Sequence, residues 1–299
     1  MIDFHCPTVE DKGWIEGKIA QEEFLTCEYT FGNIFSYTAK MEILVACVHG
    51  CLVTRCCFTK GYAEYCFPVG NGDVIEAINE IILDGKERGE PFGIFGMNTA
   101  NAKILRDNFS RYFDITLERD CFDYIYNSTD LIELTGKKYQ PKRNHISFFM
   151  RNNNWSYERI TRDNIPECLA MSKDWLEKSQ SEYKDDLEGE LEIIKKVFDN
   201  YEALGYVGGL LRCDGKVIAY TMGERMNSDT FCVHFEKAYA DIRGAYPMIN
   251  QQFVKNELSG YKYIDREDDV GSENLRKAKL SYYPAILPDK YEAVYRNAD

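Results

Sequence analysis

The chain has 299 residues, 44% of them apolar and 28% charged, and a formal net charge of −13. That composition supports a sizeable core and one large or two modest domains, and it excludes a disordered chain, a collagen-like repeat and a protein coated in DNA-binding basic surface. No apolar run reaches the roughly 20 residues of a membrane helix; the longest candidate, Met41 to Phe58, is broken by Glu42, His49, Gly50, Thr54 and Arg55.

The N-terminus, Met1 to Pro7, has neither a basic n-region nor an apolar h-region, so no secretory signal is expected. Eleven cysteines without a Cys-x-x-Cys pair are then expected as reduced thiols in a cytoplasm. Cys47, Cys51, Cys56, Cys57 and Cys66 fall in one apolar, β-like region and read as small buried hydrophobes. The alternative is a zinc site with His49, although the spacings match no familiar zinc pattern. The four histidines, His5, His49, His145 and His234, are too scattered to suggest a metal.

Met41–Val48 and Cys51–Phe58 predict strands around a His49-Gly50 turn, and Tyr62–Phe67 a third, ended by Pro68 and Asn71-Gly72. Asp73 reads as a helix N-cap with Glu76 as its capping-box partner; Ile78, Ile81 and Ile82 share one face, and Gly89 follows the end. Phe92–Met97 predicts a strand, Thr99 caps a helix through Leu105 and Phe109, and Tyr112–Glu118 with Cys121–Tyr126 reads as a closing hairpin. Further on, Leu187, Leu191, Ile194, Phe198 and Tyr201 form one apolar stripe on an acidic helix. Asp214-Gly215 joins predicted strands Tyr206–Arg212 and Lys216–Glu224. Thr230–Phe235 follows as a strand, then a helix from Tyr246-Pro247 to Gly260, a strand Tyr261–Asp265, a short helix capped by Ser272, and a last strand Tyr291–Tyr295.

The helix starts Asp73 and Tyr246 are 173 residues apart, as are Thr99 and Ser272, and the hairpins at Met41 and Tyr206 are 165 apart. A twice-used hairpin–strand–helix–strand–helix–strand unit accounts for this spacing; coincidence in an ordinary α+β chain is the alternative. Charge is segregated too. Residues 136–162 hold seven basic side chains against Glu158 alone, whereas residues 182–202 hold eight acids from Glu182 to Glu202 and three lysines.

That element order is the one used by the GCN5-related N-acetyltransferase (GNAT) fold. Three stretches resemble one particular family: Gly136-Lys137-Lys138-Tyr139-Gln140-Pro141-Lys142-Arg143-Asn144-His145; Phe235 to Ala238 with Ile242 to Tyr246 and Ile249-Asn250-Gln251; and Tyr263 to Gly271 with Leu275 to Pro284. Together they resemble the C-terminal catalytic domain of phosphatidylglycerol lysyltransferases and its free-standing relatives. The resemblance implies an α+β fold of two tandem GNAT-like units, here expected as 1–150 and 151–299, with the reactive site in the second. It also implies acyl or aminoacyl transfer: from an aminoacyl-tRNA to a lipid or small-molecule acceptor in the family's own reaction, or from acyl-coenzyme A, either donor serving as co-substrate with no tightly bound cofactor. A non-catalytic GNAT-fold binding protein is the third reading.

Acyl transfer needs a held donor, an acceptor relieved of its proton and a stabilised oxyanion. Glu236, at the end of a central strand, and Asp265, Arg266 and Glu267, just beyond another, are the expected catalytic group; ion pairing of Glu236 with Lys237 or Lys279, and a solvated acidic loop, are the bland alternatives. Asp268 and Asp269 rank below them, and His234 reads as a half-buried structural histidine. In GNAT folds the donor's phosphates rest on backbone N–H groups at a helix start, which the resemblance places at Arg243, Gly244, Ala245 and Tyr246, with Asn250 one turn on; a helix-entry turn with a surface arginine is the alternative. Lys138, Lys142, Arg143, Asn144, Arg276 and Lys279 are expected to bind the acceptor or a tRNA acceptor arm, with Tyr139, Trp155 and Tyr157 as stacking surfaces. The alternative for 136–162 is a solvated linker packed on the acidic helix. A hydroxyl of Ser281, Tyr282 or Tyr283 serves either as a proton donor or as packing. No metal and no DNA partner are expected.

Overall fold

A computed structural model of the chain describes residues 1–22, 26–59, 61–178 and 184–296. The helices are α1 (Lys12–Ile19), α2 (Phe31–Ser36), α3 (Val74–Arg88), α4 (Thr99–Phe109), α5 (Ser128–Glu133), α6 (Gln140–Asn152), α7 (Ile165–Lys178), α8 (Lys184–Asp199), α9 (Tyr201–Leu204), α10 (Ala245–Glu257) and α11 (Glu273–Leu280). The strands are β1 (Ile43–Val48), β2 (Cys51–Thr59), β3 (Tyr62–Cys66), β4 (Phe92–Met97), β5 (Phe113–Leu117), β6 (Ile125–Asn127), β7 (Trp155–Arg159), β8 (Val207–Cys213), β9 (Lys216–Arg225), β10 (Thr230–Ala238), β11 (Tyr263–Asp265) and β12 (Tyr291–Tyr295).

They build two six-stranded mixed sheets, ordered β1-β2-β3-β4-β12-β5 and β6-β11-β10-β9-β8-β7. Each sheet has one parallel pair, β3 with β4 and β10 with β11, and is otherwise antiparallel. Both leading hairpins turn on a two-residue loop with positive φ throughout: 46° and 81° at His49-Gly50, 48° and 81° at Asp214-Gly215. Such turns match the twist of the flanking strands. In the first sheet's layer Asp73 caps α3 by accepting from the N–H groups of Ile75 and Glu76, Gly89 closes the helix at φ 69°, and Ile78, Ile81 and Ile82 are buried. The next helix is capped by Asn98 rather than Thr99, one residue early, through a 2.9 Å bond from Asn101 N. The apolar stripe lies on α8, in which Ile194 and Phe198 are buried, and Tyr201 continues it in α9; Glu182 of the acidic stretch lies outside the described residues.

The expected hairpin of Tyr112–Glu118 with Cys121–Tyr126 is not formed. β5 pairs with β12, and β6 pairs with β11 in the other sheet. The compact units accordingly do not divide at residue 150. One comprises Met1–Asp123, Asp268–Arg276 and the stretch from Leu287 onward; the other comprises Tyr124–Glu267 and Lys277–Ile286. Nor is 136–159 a linker. It forms α6, which buries Ile146 and Phe149, and β7, which pairs with β8. The aromatic rings expected as stacking surfaces are used in packing: Trp155 lies 6.4 Å from Phe149, and the Tyr157 hydroxyl bonds Glu257 at 3.2 Å. Among the five clustered cysteines Cys51, Cys56 and Cys66 are buried, Cys57 is half-buried, and Cys47, near the end of the edge strand β1, is exposed. Among the described residues no helix is long and apolar enough to cross a membrane.

In the first unit Lys290, immediately before β12, is 2% exposed and donates to both carboxylate oxygens of Glu28 (2.7 and 2.9 Å) and to Asp123 (2.9 Å). Burial works against its charge, but Asp123 foremost, with Cys27 and Glu28, raises the ammonium pKa well above its ordinary value. Removing the cation leaves the fully buried Asp123 carboxylate facing the largely buried one of Glu28 with no counter-charge between them. Lys290→Met should therefore lower unfolding free energy by ~3–5 kcal/mol in a denaturant titration; a loss below about 1 kcal/mol, the scale of an exposed pair, would show that this cluster does not hold β12 in place.

Candidate active site

In the second unit β10 and β11 run parallel for three residue pairs, Thr230↔Tyr263, Phe231↔Ile264 and Cys232↔Asp265. There β11 ends, while β10 continues beside β9 to Ala238. One strand outlasting its parallel neighbour opens a gap in the sheet, and the chain beyond β11 is tied back along its margin. Asp265, fully buried, accepts the N–H of Glu267 at 2.8 Å, and Glu267 adopts φ 57°. Arg266 N donates to Tyr124 O (3.0 Å) and Tyr124 N to Glu267 O (3.1 Å). The Lys279 ammonium holds the carbonyls of Arg266 (2.7 Å) and Glu267 (3.1 Å).

Glu236 lies on the part of β10 past the last pair. Its Oε1 accepts from Arg266 Nη2 at 2.8 Å and its Oε2 from Asn250 Nδ2, on α10, at 3.2 Å. The two charged side chains are 12% and 13% exposed. The Arg266 guanidinium stands 5.1 Å from the centre of the Tyr282 ring and 5.8 Å from that of Tyr126. Lys142, from α6, brings its ammonium 3.7 Å from the centre of the same Tyr282 ring. Burial, then the Arg266 charge, pushes the Lys142 pKa down to about 8, against the pull of Glu236. Two buried polar atoms here have no hydrogen-bond partner among the described residues, Nη1 of Arg266 and Oδ1 of Asn250. Buried orphans of this kind cost stability unless something completes them.

His234 is the residue at which β10 slips register against β9, between Val233 and Phe235. The bulge interrupts the two-residue alternation that would align it with Glu236. Its side chain is 1% exposed and lies between two carboxylates, with Nε2 3.0 Å from Glu224 and Nδ1 2.7 Å from Glu267. Burial disfavours its charge, but the hydrogen bonds to Glu224 and Glu267 outweigh it and hold the pKa up to about 10. His234 is thus an imidazolium wedged deep in the unit rather than a half-buried ring.

The turn expected to hold phosphates has a different immediate reason for its glycine. Gly244 has φ 90°, and a Cβ there would run into the carbonyl oxygen of His145 on α6. Helix packing, not a donor, sets this close approach. Arg243 lies over the Phe148 ring at 4.4 Å and takes no part in the Glu236–Arg266 pair. Ala245 is buried and Tyr246 is 36% exposed. The start of α10 has no side-chain cap, unlike α3, whose first N–H groups are occupied by Asp73.

Of the expected catalytic group, Glu236 and Arg266 come together, whereas Asp265 and Glu267 shape the loop. The ion-pair alternative for Glu236 does not form: Lys237 bonds Glu190 at 2.6 Å and Lys279 bonds the two carbonyls. Of the expected acceptor-binding residues, Lys142 reaches the gap. Lys138 stands over Tyr139 and Tyr283, Arg143 caps the carbonyls of Leu134 and Gly136, and Asn144 is exposed on α6. Arg276 is in the first unit, paired with Asp120 (2.6 Å) and Asp269 (2.7 Å). Tyr126 had no signal in the sequence beyond being a strand aromatic, and Tyr282 only the ambiguous one of a hydroxyl. Two sets of metal-ligand side chains converge among the described residues, Cys232/His234/Glu267 and Cys27/Glu28/Asp123. Each already contains a cation, the His234 imidazolium or the Lys290 ammonium.

The family model described as phosphatidylglycerol lysyltransferase, C-terminal, matches residues 20–294. A crystal structure of a conserved protein of unknown function from Bacteroides thetaiotaomicron superposes with TM-score 0.93 at 35% identity, covering 99% of this chain and 100% of that one. The C-terminal domain of a putative lysylphosphatidylglycerol synthetase from Agrobacterium fabrum gives 0.68 at 15% identity, covering 97% and 93%. A tandem GNAT protein from the clavulanic acid biosynthesis pathway gives 0.54 at 9% identity, covering all of both chains. The fold is therefore the tandem GNAT-like one. An uncharacterised protein of Mycoplasmoides gallisepticum is 25% identical over 195 residues, and the match spans 61% of this chain and 59% of that protein.

The His234 pKa, raised from 6.5 to about 10, gives a signed expectation. Its charge contributes stability in full below pH 6.5, and that contribution is lost as the pH climbs through about 10. The stability advantage of the native chain over His234→Gln should shrink across that window, and the ring should carry protons on both nitrogens at pH 8 by NMR. A neutral ring at pH 8 would contradict the buried imidazolium.

Proposed function

The chain belongs to the phosphatidylglycerol lysyltransferase C-terminal family, and from that premise we propose that it transfers an aminoacyl group from aminoacyl-tRNA to the hydroxyl or amine of a lipid or small-molecule acceptor. The observation that carries this reading is Glu236 standing in the gap past the end of β11, held on one oxygen by Arg266 and on the other by Asn250. Each carboxylate oxygen keeps a second lone pair, so the group is fixed in place and still able to take a proton. As the acceptor oxygen or nitrogen attacks the ester carbonyl, Glu236 takes its proton. As the ester C–O bond to the ribose breaks, the same proton passes to the departing ribose oxygen. Held geometry and a positioned base are the two contributions the chain makes to this step.

The donor's phosphates are assigned to the start of α10, where Gly244, Ala245 and Tyr246 open a helix with no side-chain cap and Arg243 supplies a nearby charge. The exposed Lys137, Lys138 and Asn144 ahead of and within α6 are the residues left for an acceptor arm. The uncapped α10 start suits acyl-coenzyme A equally well, and that is the second reading.

Labelled aminoacyl-tRNA and labelled acetyl-coenzyme A, offered separately with a panel of alcohols and amines, test both. Transfer from the first is expected, and Glu236→Gln should slow it by roughly 10²–10⁴-fold, the usual worth of a general base, with the fold intact by circular dichroism. Transfer from the thioester alone would reject the aminoacyl donor. Turnover with neither, while ligand binding weakens in Glu236→Gln and Arg266→Ala, would leave a binding protein.

A further inference from the structure

Backbone pairing of β10 with β11 ends at Cys232↔Asp265, but the offset between the two strands continues one step further in the side chains. The partners stand 33 residues apart in all three backbone pairs, and so do His234 and Glu267, whose Nδ1 and Oε1 meet at 2.7 Å. A side-chain bond thus spans the start of the gap where a backbone bond no longer does. Its imidazole end is itself fixed. Nε2 lies 3.0 Å from Glu224 on β9, the Tyr206 ring stacks on the imidazole at 5.5 Å and 29°, and Cys232 Sγ is 3.7 Å from Nδ1. The charge on the ring makes both nitrogens donors, so neither carboxylate faces a lone pair.

The loop beyond β11 is therefore held from two sides. Tyr124, just before β6, and Lys279, on α11, bond its backbone from one side. On the other side adjacent loop residues reach β10: Glu267 to His234, and Arg266 to Glu236 at 2.8 Å. Glu267 stands at φ 57°, a conformation a glutamate keeps only under restraint. Without the bond from His234 that restraint comes from one side alone, and the loop is free to drift away from β10 with Arg266 on it. A misplacement of about 1 Å at a reacting group can cost about 10²-fold in rate. We propose that His234 is a positioning residue for the transfer: its Nδ1 arm pins Glu267 and so holds the adjacent Arg266 against Glu236. This rests on the transferase reading and adds to it a buried residue that touches neither donor nor acceptor. The two arms of the ring then differ in role. Nε2 reaches back into the sheet, and Nδ1 reaches forward to the site. A histidine that only packed the unit would not depend on which arm was kept.

The arms can be removed one at a time. A Gln amide nitrogen falls where Nε2 does and an Asn amide nitrogen where Nδ1 does, so His234→Gln keeps the bond to Glu224 and His234→Asn the bond to Glu267. Each variant loses one charged hydrogen bond, and denaturant titrations should show similar losses of stability. The loop should tell them apart. In the full chain without substrates, amide hydrogen exchange at Arg266 and Glu267 should quicken by about tenfold or more in His234→Gln, and His234→Asn should recover most of the protection. With aminoacyl-tRNA and an acceptor, His234→Gln should lower kcat by about ten- to a hundredfold at little change in KM, because the placing of the base is lost rather than ground-state binding. His234→Asn should recover most of that loss too. Unchanged exchange at Arg266 and Glu267 in His234→Gln, or equal exchange in the two variants, refutes the positioning role. Exchange that separates the variants in a chain that transfers nothing would count against the transferase reading and leave the tie standing, whereas transfer that falls equally in both variants would do the reverse.

Discussion

Everything at the candidate site follows from β10 outlasting β11. A parallel strand pair needs both backbones in register, and here the register ends at Cys232↔Asp265 while β10 has six residues still to run. Those residues keep β9 on one side and have no strand on the other. A sheet cannot leave that side empty, so side chains from three sources fill it: Arg266 from the loop beyond β11, Asn250 from α10 and Lys142 from α6. The opening is a consequence of strand length, and the polar content of the opening is a consequence of which elements border it.

Strand length alone would leave a soft gap; the ties on the 265–267 loop make it a fixed one. Asp265, Lys279 and Tyr124 consume the loop's backbone groups, and Glu267 is held in a left-handed conformation that a glutamate adopts only when its surroundings enforce it. His234 adds a further tie by bridging the Glu267 carboxylate to Glu224 on β9. Adjacent residues on the loop are thereby committed to different partners, Arg266 to Glu236 and Glu267 to His234. This is why the three consecutive residues Asp265, Arg266 and Glu267, which with Glu236 read from sequence as a single catalytic group, resolve into an Arg266–Glu236 pair in the gap and a set of supports behind it.

Legibility from sequence tracked the range over which each feature is decided. The two hairpins, the α3 cap and its apolar face, and the apolar stripe of α8 are decided by residues within one or two turns of each other, and they were readable. The partners of β5, β6 and β12 are decided by pairings across more than a hundred residues, and nothing local in Tyr112–Tyr126 separates a hairpin from two strands in different sheets. Helix α6 was missed because only Ile146 and Phe149 of its thirteen residues are buried, too thin a stripe to stand out from a basic linker. Gly244 was legible as a close approach, but its neighbour is the His145 carbonyl, and a positive-φ glycine has the same signature whether it meets a helix or a phosphate.

Charge segregation in the sequence has a physical counterpart that composition alone conceals. A net charge of −13 suggests carboxylates in surplus everywhere, and around Arg55, Arg212, His234 and Lys290 they are. In each of these the cation has two carboxylates within ion-pair distance. The basic stretch 136–162 delivers one lysine, Lys142, to the Tyr282 ring beside Arg266, a buried arginine already short of an acceptor. Folding does not select that arrangement, because burying like charges beside one another lowers stability wherever it occurs. At the open end of β10 the buried guanidinium of Arg266 meets one carboxylate, Glu236, which Asn250 also holds, and Nη1 is left without a partner among the described residues, so the strand that makes the gap also leaves it electrostatically incomplete.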